Sequence, residues 1–176
     1  MSKWYGSLTN RIEEGCQFVN EIKVGTGMTE YMWSDRHPYE VVEVINQEDV
    51  KVRALDHKRI DNNGMSECQE YEYISNTNYP IIHVVKRNNG WNKLEVVNKE
   101  ELMQEARKIV ESGKGIARDD YDVERRVEIE YGFMLSHLCH TPSQRQRVEE
   151  GKTVKVYTKW NNISFGVAEY YYDFSF

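Results

Sequence analysis

The chain has 176 residues, of which 39% are hydrophobic and 30% are charged, so it is long enough for one ordinary globular domain and too apolar for a disordered chain. Its formal net charge of −6 argues against affinity for DNA or RNA through many phosphate contacts, although a local basic pocket for a small anion is compatible with an acidic protein. The scattered Cys16, Cys68 and Cys139 suit a reducing compartment, and no stretch approaches the roughly 20 apolar residues of a membrane span, which indicates a cytoplasmic protein.

The first predicted element is a short helix over residues 7–20, where apolar side chains recur at helical spacing. From residue 21 onwards the pattern changes to short runs rich in Val, Ile and Tyr, which are separated by clusters of turn-forming residues. In the run that contains Val50 and Val52, the intervening Lys51 is polar, which is typical of a strand with one buried face. The predicted strands are residues 24–33, 39–46, 49–55, 68–75 and 80–87, and the predicted turns are residues 34–38, 46–49, 61–64, 76–79 and 88–90.

Strands of this length that are joined by hairpins can cover their edges by curling. The sequence therefore predicts an α+β fold built on a small, twisted antiparallel β-barrel of the Src-homology-like type. Asn89 and Gly90 provide a hairpin turn before Trp91. Strand character returns in residues 153–160 and 164–174, which we expect to rejoin the barrel. The barrel domain is thus predicted to comprise residues 1–97 and 152–176.

Residues 98–151 are predicted to form a helical insertion. Asn98 followed by Glu101 is a capping box that begins the first helix, and Gly113 ends it. The second helix has an acidic first turn, as is favourable at a helix N-terminus, and an apolar face at helical spacing. The acidic turn consists of Asp119, Asp120 and Asp122, and the apolar face of Val123, Val127, Tyr131, Met134, Leu135 and Leu138.

The third predicted helix begins at Thr141, which has the residue type of an N-cap. Pro142 occupies the first helical position, where proline is favoured, and Gln144 occupies the third, where its side chain can complete a capping box. The helix is expected to end before Gly151.

No complete catalytic signature is present in the sequence, which favours a binding protein over an enzyme, and no cofactor is predicted. There is no Gly-x-Ser-x-Gly elbow, no phosphate loop and no His-Glu-x-x-His motif, and none of the five histidines precedes a Ser or Thr by two positions, as a two-histidine phosphodiesterase would require. His137 and His140 could share a metal ion, but a zinc site needs a third ligand. A helix end whose histidines face solvent is the alternative, and no metal site is predicted.

The segment of residues 33–39, WSDRHPY, gathers polar and aromatic side chains in a predicted turn that Pro38 stiffens. Such a turn could clamp a nucleotide at low entropic cost. The predicted roles are phosphate binding by Arg36, hydrogen-bond donation by His37, ribose binding by Asp35 and base stacking by Trp33 or Tyr39. In the alternative interpretation the two aromatic residues belong to the core and Asp35 only caps the turn.

Two further segments supply candidate ligand contacts. Residues 61–66 form a predicted tight loop after a basic stretch, and its backbone amides either face an anion or belong to an ordinary turn. Three consecutive tyrosines at residues 170–172 cannot all face one side of a strand, so at least one of them lies near the surface, where it can meet a ligand or another subunit. The predicted ligand-binding set is completed by Arg59, Asn63, Met65, Tyr73 and Tyr172.

The three blocks WSDRHPYEVVEV, DNNGMSECQEYEY and SFGVAEYYYDFSF together resemble a family of small proteins from phages and prophages of Gram-positive bacteria. The resemblance covers about residues 20–95 and 155–176 and leaves out the helical insertion. It implies an anti-defence protein in the bacterial host cell that sequesters a nucleotide-derived immune signal without turnover. The implied ligands are cyclic ADP-ribose isomers, ADP-ribose conjugates and cyclic oligonucleotides, and the implied assembly is a homo-oligomer.

Two other functions remain open from the sequence. One is an enzyme that cleaves the same molecules, with His37 as acid or base and Asp35 or Glu40 as its partner. The other is a protein-binding module in which the helical insertion presents the partner surface and the barrel is a scaffold.

Overall fold

The structure is a computed structural model, and it describes residues 21–65, 69–88, 90–116 and 121–173. Several sequence-based predictions therefore lie outside the described residues: the helix over residues 7–20 with its Cys16, the thiol of Cys68, Asn89 of the hairpin turn, and Asp119 and Asp120 of the acidic first turn.

The chain forms two compact units. The first, here called the sheet unit, comprises the described residues up to Lys93 together with those from Thr158 onwards, and the second, the helical unit, is Leu94–Tyr157. Each unit has its own cluster of buried apolar side chains. In the sheet unit these are Ile22, Met28, Val41, Val50, Val52, Val84, Trp160, Ile163 and Phe165. In the helical unit they are Val97, Leu102, Ala106, Val110, Val127, Tyr131, Leu135, Cys139, Val148, Val154 and Val156.

Eight strands lie within the described residues, and the predicted α+β class is confirmed. They are β1 (Gly27–Tyr31), β2 (Arg36–Asn46), β3 (Asp49–Arg59), β4 (Tyr71–Ser75), β5 (Ile81–Arg87), β6 (Gly90–Val97), β7 (Val154–Lys159) and β8 (Ile163–Gly166). The sheet order is β7-β6-β5-β3-β2-β1-β8, and β4 pairs with β3 outside this path. The predicted Src-homology-like barrel is not confirmed, because the sheet is open and ends at β7 and β8, which neighbour β6 and β1 rather than each other.

The strand β3 pairs with different neighbours along its length. Its first half, from Asp49 to Arg53, pairs with β5 and is also flanked by β2, whereas residues 55–59 pair with β4. The predicted alternation in this strand is confirmed, since Val50 and Val52 are fully buried and Lys51 is not. A single long strand thus connects the core of the sheet unit with a peripheral hairpin.

The predicted turn over residues 34–38 is wrong in its second half, because β2 begins at Arg36, opposite Tyr31 of β1. Pro38 lies within β2, opposite Thr29, although proline interrupts a strand ladder. The amide of Arg36 points away from β1 and toward Tyr171. Backbone amides alternate in direction along a strand, so the nitrogen of residue 38, two positions further on, faces the same way as that of Arg36. On that side the pairing with β3 ends at Tyr39, so the missing N–H of Pro38 leaves no ladder bond unmade.

The helical unit contains three helices: α1 (Lys99–Glu111), α2 (Val123–Leu138) and α3 (Pro142–Glu149). The first and third begin at their predicted caps, whereas Asp122, predicted in the first turn of the second helix, is its N-cap. Asn98 accepts a hydrogen bond from the amide of Glu101 at 2.8 Å, and Asp122 caps α2 in the same way. At the start of α3 the predicted capping box is complete, because Thr141 accepts from the amide of Gln144 at 3.3 Å and the Gln144 side chain accepts from the amide of Thr141 at 3.0 Å.

The buried face of α2 agrees with the predicted periodicity, with one exception. Val127, Tyr131 and Leu135 are buried, but Val123 in the first turn of α2 is 49% exposed. Among the described residues, none of the helices has the length and apolar character needed to cross a bilayer.

We expect replacement of Met28 by Ala to lower the free energy of unfolding of the sheet unit by about 2–5 kcal/mol, because Met28 is fully buried and the smaller side chain leaves a cavity. All four tryptophans lie outside residues 94–157, so chemical denaturation followed by tryptophan fluorescence reports on the sheet unit. The matched control is Met32→Ala at a position that is 46% exposed, which should change the stability by less than about 0.5 kcal/mol. Equal effects of the two substitutions would contradict this assignment of the core.

Candidate functional site

A half-open cavity forms in the sheet unit where β2 and β3 separate. The two strands pair as far as Tyr39 opposite Ala54. Beyond this pair, residues 55–59 of β3 turn to β4, while β2 continues alongside β1. The separation leaves a concave space between the beginning of β2 and the second half of β3.

The cavity has a volume of about 330 Å³. Its lining combines residues from β2 and β3 with one residue from the β4–β5 turn and one from the stretch that follows β8. The lining residues are His37, Pro38, Tyr39, Ala54, Leu55, Asp56, His57, Tyr79 and Tyr170.

Residues 167–173, here called the C-terminal segment, provide the wall of the cavity that contains Tyr170. Arg36 and Tyr171 exchange two backbone hydrogen bonds, of 3.0 and 3.2 Å, on the side of β2 that β3 has left. The amide of Tyr170 donates to the hydroxyl of Tyr73 in β4 at 2.7 Å. Because the backbone is held at both positions, the ring of Tyr170 has a fixed place at the cavity.

Aromatic rings from three parts of the chain meet at Tyr170. The rings of His57 and Tyr170 are stacked, with centroids 3.4 Å apart and planes inclined by 16°. Tyr71 of β4 contacts both rings with its edge, at centroid distances of 4.7 Å to Tyr170 and 5.6 Å to His57. His37 of β2 lies edge-on to Tyr170 at 6.4 Å. The cavity is thus bordered by a packed aromatic cluster, an arrangement suited to holding a planar ring.

The charged group at the cavity is the carboxylate of Asp56. Hydrogen bonds from the Tyr79 hydroxyl and the Asn76 amide, both 2.7 Å long, hold the pKa of Asp56 below its usual value, so it is ionised at neutral pH. Burial lowers the pKa of His57, and this effect outweighs the neighbouring carboxylate of Asp56, which raises it, so His57 is mainly the neutral imidazole at neutral pH. Burial also raises the pKa of Tyr170, which remains a phenol.

Of the residues predicted for the nucleotide clamp, only His37 and Tyr39 line the cavity. Arg36 lies next to His37 in a strand, where successive side chains point to opposite faces. The guanidinium of Arg36 forms an ion pair with Glu169 at 2.7 Å and lies 5.5 Å from the centroid of the Tyr171 ring. The side chain proposed for a phosphate therefore anchors the C-terminal segment.

Trp33 and Asp35 are also placed away from the cavity. The side chain of Trp33 is 93% exposed at the end of the β1–β2 hairpin. Asp35 accepts a hydrogen bond from the amide of Asp173 at 3.0 Å, so it too holds the C-terminal segment. The structure does not bring the four predicted side chains of Trp33, Asp35, Arg36 and His37 around one concavity. The segment that carries them begins as the tip of the β1–β2 hairpin and continues as strand β2 from Arg36.

The loop after β3 is organised around the carboxylate of Asp61, one of its own residues, which agrees with the alternative interpretation of an ordinary turn. This carboxylate accepts two hydrogen bonds from Arg59, at 2.8 and 2.9 Å, and further bonds from the amides of Asn63 and Glu70. The hydrogen bonds from Arg59 and from the Glu70 amide hold the pKa of Asp61 far below its usual range. Arg59 and Asn63 thus stabilise the loop, and the exposed Met65 lies at its end.

The remaining predicted residues have structural partners. Tyr73 accepts the amide hydrogen of Tyr170, and Tyr172 exchanges backbone hydrogen bonds with the side chain of Gln69. The hydroxyl of Tyr39 donates to Glu30 at 2.9 Å, and burial raises its pKa. These side chains support the cavity or lie beside it.

Four lining residues are not among the predicted site residues: Asp56, His57, Tyr79 and Tyr170. The predicted strand ends at Leu55, before Asp56 and His57, whereas β3 continues to Arg59. Tyr79 belongs to a predicted turn, and the sequence does not distinguish Tyr170 from its two tyrosine neighbours. Alternation of β3 carried beyond Ala54 would place Asp56 on the face of Val50 and Val52, whereas no local signal marks His57.

In the helical unit, His137 lies in the last turn of α2 and His140 follows the helix, and the alternative prediction for them is that they face solvent. Both side chains are exposed, and the ring of His137 stacks on Phe133 with a centroid distance of 6.2 Å. Within the part of the chain that the structure describes, no group of three or more His, Cys, Asp or Glu side chains is arranged to hold a metal ion.

Comparison of the chain with known protein families, with curated proteins and with solved structures found no match. The functional proposal therefore depends on the chemistry of the cavity.

We expect Tyr73→Phe to loosen the C-terminal segment, because the Tyr170 amide loses the hydroxyl that accepts its hydrogen. The expected loss of stability is about 0.5–1.5 kcal/mol, together with faster hydrogen exchange at the Tyr170 amide. Hydrogen exchange measured by NMR on the labelled protein checks this. Tyr121→Phe, which removes an exposed hydroxyl in the helical unit, is the control and should leave the exchange unchanged. Unaltered protection of the Tyr170 amide in Tyr73→Phe would refute the proposed anchor.

Proposed function

We propose that the sheet unit binds a small nucleotide-derived molecule in the cavity between β2 and β3 and holds it without chemical change. The protein would then act as a sequestering protein of the phage anti-defence type. The cavity supplies a place for the ligand, and the anti-defence role is the one that the three sequence blocks lead us to expect.

The observation that carries the proposal is the combination of an aromatic cluster with an ionised carboxylate around one concave space. Ligand sites in proteins are typically clefts of about 300–1,000 Å³ with apolar or aromatic walls and a few fixed polar groups. The cavity, at about 330 Å³, has the size for a nucleoside-sized part of a ligand. Its polar groups are held in place by the hydrogen bonds of Asp56 with Tyr79 and Asn76.

The aromatic cluster also explains how a base would be held. Stacking of a nucleobase on an aromatic side chain contributes about 1–3 kcal/mol and tolerates different bases. Tyr170 and His57 stack on each other, and both line the cavity. Because the C-terminal segment fixes Tyr170, little rotamer entropy remains to be lost when a ligand binds.

Isothermal titration calorimetry with ADP-ribose, cyclic ADP-ribose isomers and cyclic dinucleotides tests the proposal. We expect one of these ligands to bind, and Tyr170→Ala to weaken its binding by about 1–3 kcal/mol through the loss of the stacking ring. Tyr170→Phe retains the ring and should bind like the wild type.

The control variant is Trp33→Ala, which removes the exposed indole outside the cavity and should bind like the wild type. Circular dichroism confirms that each variant is folded. Absence of heat with every ligand, or equal binding by Tyr170→Ala and the wild type, would contradict the proposal.

A second candidate function is cleavage of the same molecules, since two histidines and a carboxylate line the cavity. His57, as a neutral imidazole, has the protonation state of a general base, and His37 stands on the opposite strand. The partner carboxylate in this arrangement is Asp56 rather than Asp35 or Glu40, because Asp35 binds the Asp173 amide and Glu40 pairs with Arg53.

Recovery of the ligand separates the two functions. The complex is incubated, denatured and examined by mass spectrometry, and sequestration predicts that the bound molecule is recovered intact in stoichiometric amount. Conversion of the ligand by the wild type, together with loss of conversion in His57→Gln, would instead establish the enzyme.

A further inference from the structure

We infer that the cavity recognises its ligand by an amino-bearing base that donates a hydrogen bond to Asp56, and that the phosphate groups of the ligand contribute little to binding. This inference rests on the proposed function and specifies which part of the ligand the cavity takes. The preferred class is a nucleoside or nucleotide with an exocyclic amino group, such as the adenine type.

The acceptor for the amino group is the carboxylate of Asp56. An ionised carboxylate offers about four lone-pair sites on its two oxygens. One oxygen accepts from the Tyr79 hydroxyl and the other from the Asn76 amide, each at 2.7 Å. These two bonds fix the orientation of the carboxylate and leave acceptor capacity for a ligand.

The cavity contains both kinds of contact that a base requires. Asp56 and Tyr79, which donates to it, line the same space as the stacked rings of His57 and Tyr170. We place the base in this space with one edge toward Asp56. An amino group on that edge would donate to Asp56, whereas a carbonyl oxygen would face it acceptor against acceptor.

The charges at the cavity argue against a phosphate in it. Among the described residues that line it, there is no lysine or arginine, and Asp56 repels a second negative charge. The two arginines that the sequence offers for phosphate are engaged elsewhere, since Arg36 binds Glu169 and Arg59 binds Asp61. The phosphates of a bound nucleotide are therefore expected to remain in solvent.

Calorimetry with matched ligand pairs tests the inference on the full chain. Adenosine and inosine differ at the exocyclic position, where inosine carries a carbonyl, and AMP and IMP repeat the comparison with a phosphate. We expect adenosine to bind roughly ten- to a hundredfold more tightly than inosine, as for a hydrogen bond to a charged group. AMP should bind no more tightly than adenosine.

Three variants locate the preference. Asp56→Asn provides an amide that can donate to inosine, so the preference for adenosine over inosine should vanish or reverse. Tyr79→Phe keeps the carboxylate but removes one of the two hydrogen bonds that orient it, so the preference for adenosine should shrink. This variant carries the test if Asp56→Asn does not fold, and an unchanged preference in it would count against Asp56 as the acceptor. Glu72→Gln, which neutralises an exposed carboxylate on β4 outside the cavity, is the matched control and should bind like the wild type.

The outcomes separate this inference from the proposed function. If ADP-ribose binds but adenosine and inosine bind equally, or AMP binds tenfold more tightly than adenosine, the inference is overturned while the proposed function stands. If none of the nucleosides and nucleotides binds, both are overturned. Retention of the adenosine preference in a folded Asp56→Asn variant would also overturn the role of this carboxylate.

Discussion

The hydroxyl of Thr29 joins the C-terminal segment to the sheet through two hydrogen bonds, and the geometry of the cavity depends on them. Thr29 is fully buried in β1, where its hydroxyl donates to the carbonyl of Val167 at 2.7 Å and accepts from the amide of Glu169 at 2.9 Å. A buried hydroxyl that both donates and accepts a hydrogen bond is satisfied. The segment leaves β8 along a fixed path and reaches the beginning of β2, where Tyr171 pairs with Arg36.

The absence of a side chain at Gly27 permits this path. A Cβ at this position would meet the backbone of Val167 and Ala168, with the carbonyl carbon of Val167 only 2.8 Å away. Any larger residue would push the segment away from β1, and the anchor at Thr29 would be lost with it. The cavity wall that contains Tyr170 therefore depends on the close approach of the C-terminal segment to β1 at Gly27, a residue that does not itself line the cavity.

Local signals in the sequence were sufficient for the helical unit. The caps at Asn98 and Thr141 act on amides three residues further along, so the residues that determine each helix start lie within one turn of it. The alternation of Val50 and Val52 in β3 is equally local. These features followed from neighbouring residues, and their prediction needed no knowledge of distant contacts.

The candidate site could not be derived in this way, because its members are brought together by distant contacts. Tyr170 is selected from three tyrosines by the hydroxyl of Tyr73, which is 97 residues away in the sequence. Whether residue 37 faces a cavity depends on where β3 changes its partner from β2 to β4, which no pattern within β2 reveals. The segment WSDRHPY does cluster polar residues along the chain, but a strand begins within it at Arg36. The side chains of Arg36 and His37 therefore point to opposite sides of the strand.

The sheet unit is formed by two separate stretches of the chain, so it cannot be completed until the second stretch has been synthesised. The helical unit, Leu94–Tyr157, leaves the ribosome before β8 and Tyr170 are made, and domains generally fold as they emerge. Until residues beyond Thr158 are available, β1 lacks its neighbour β8 and exposes an unpaired edge. The nascent chain therefore passes through a stage in which the helices can already be formed while the cavity is still incomplete.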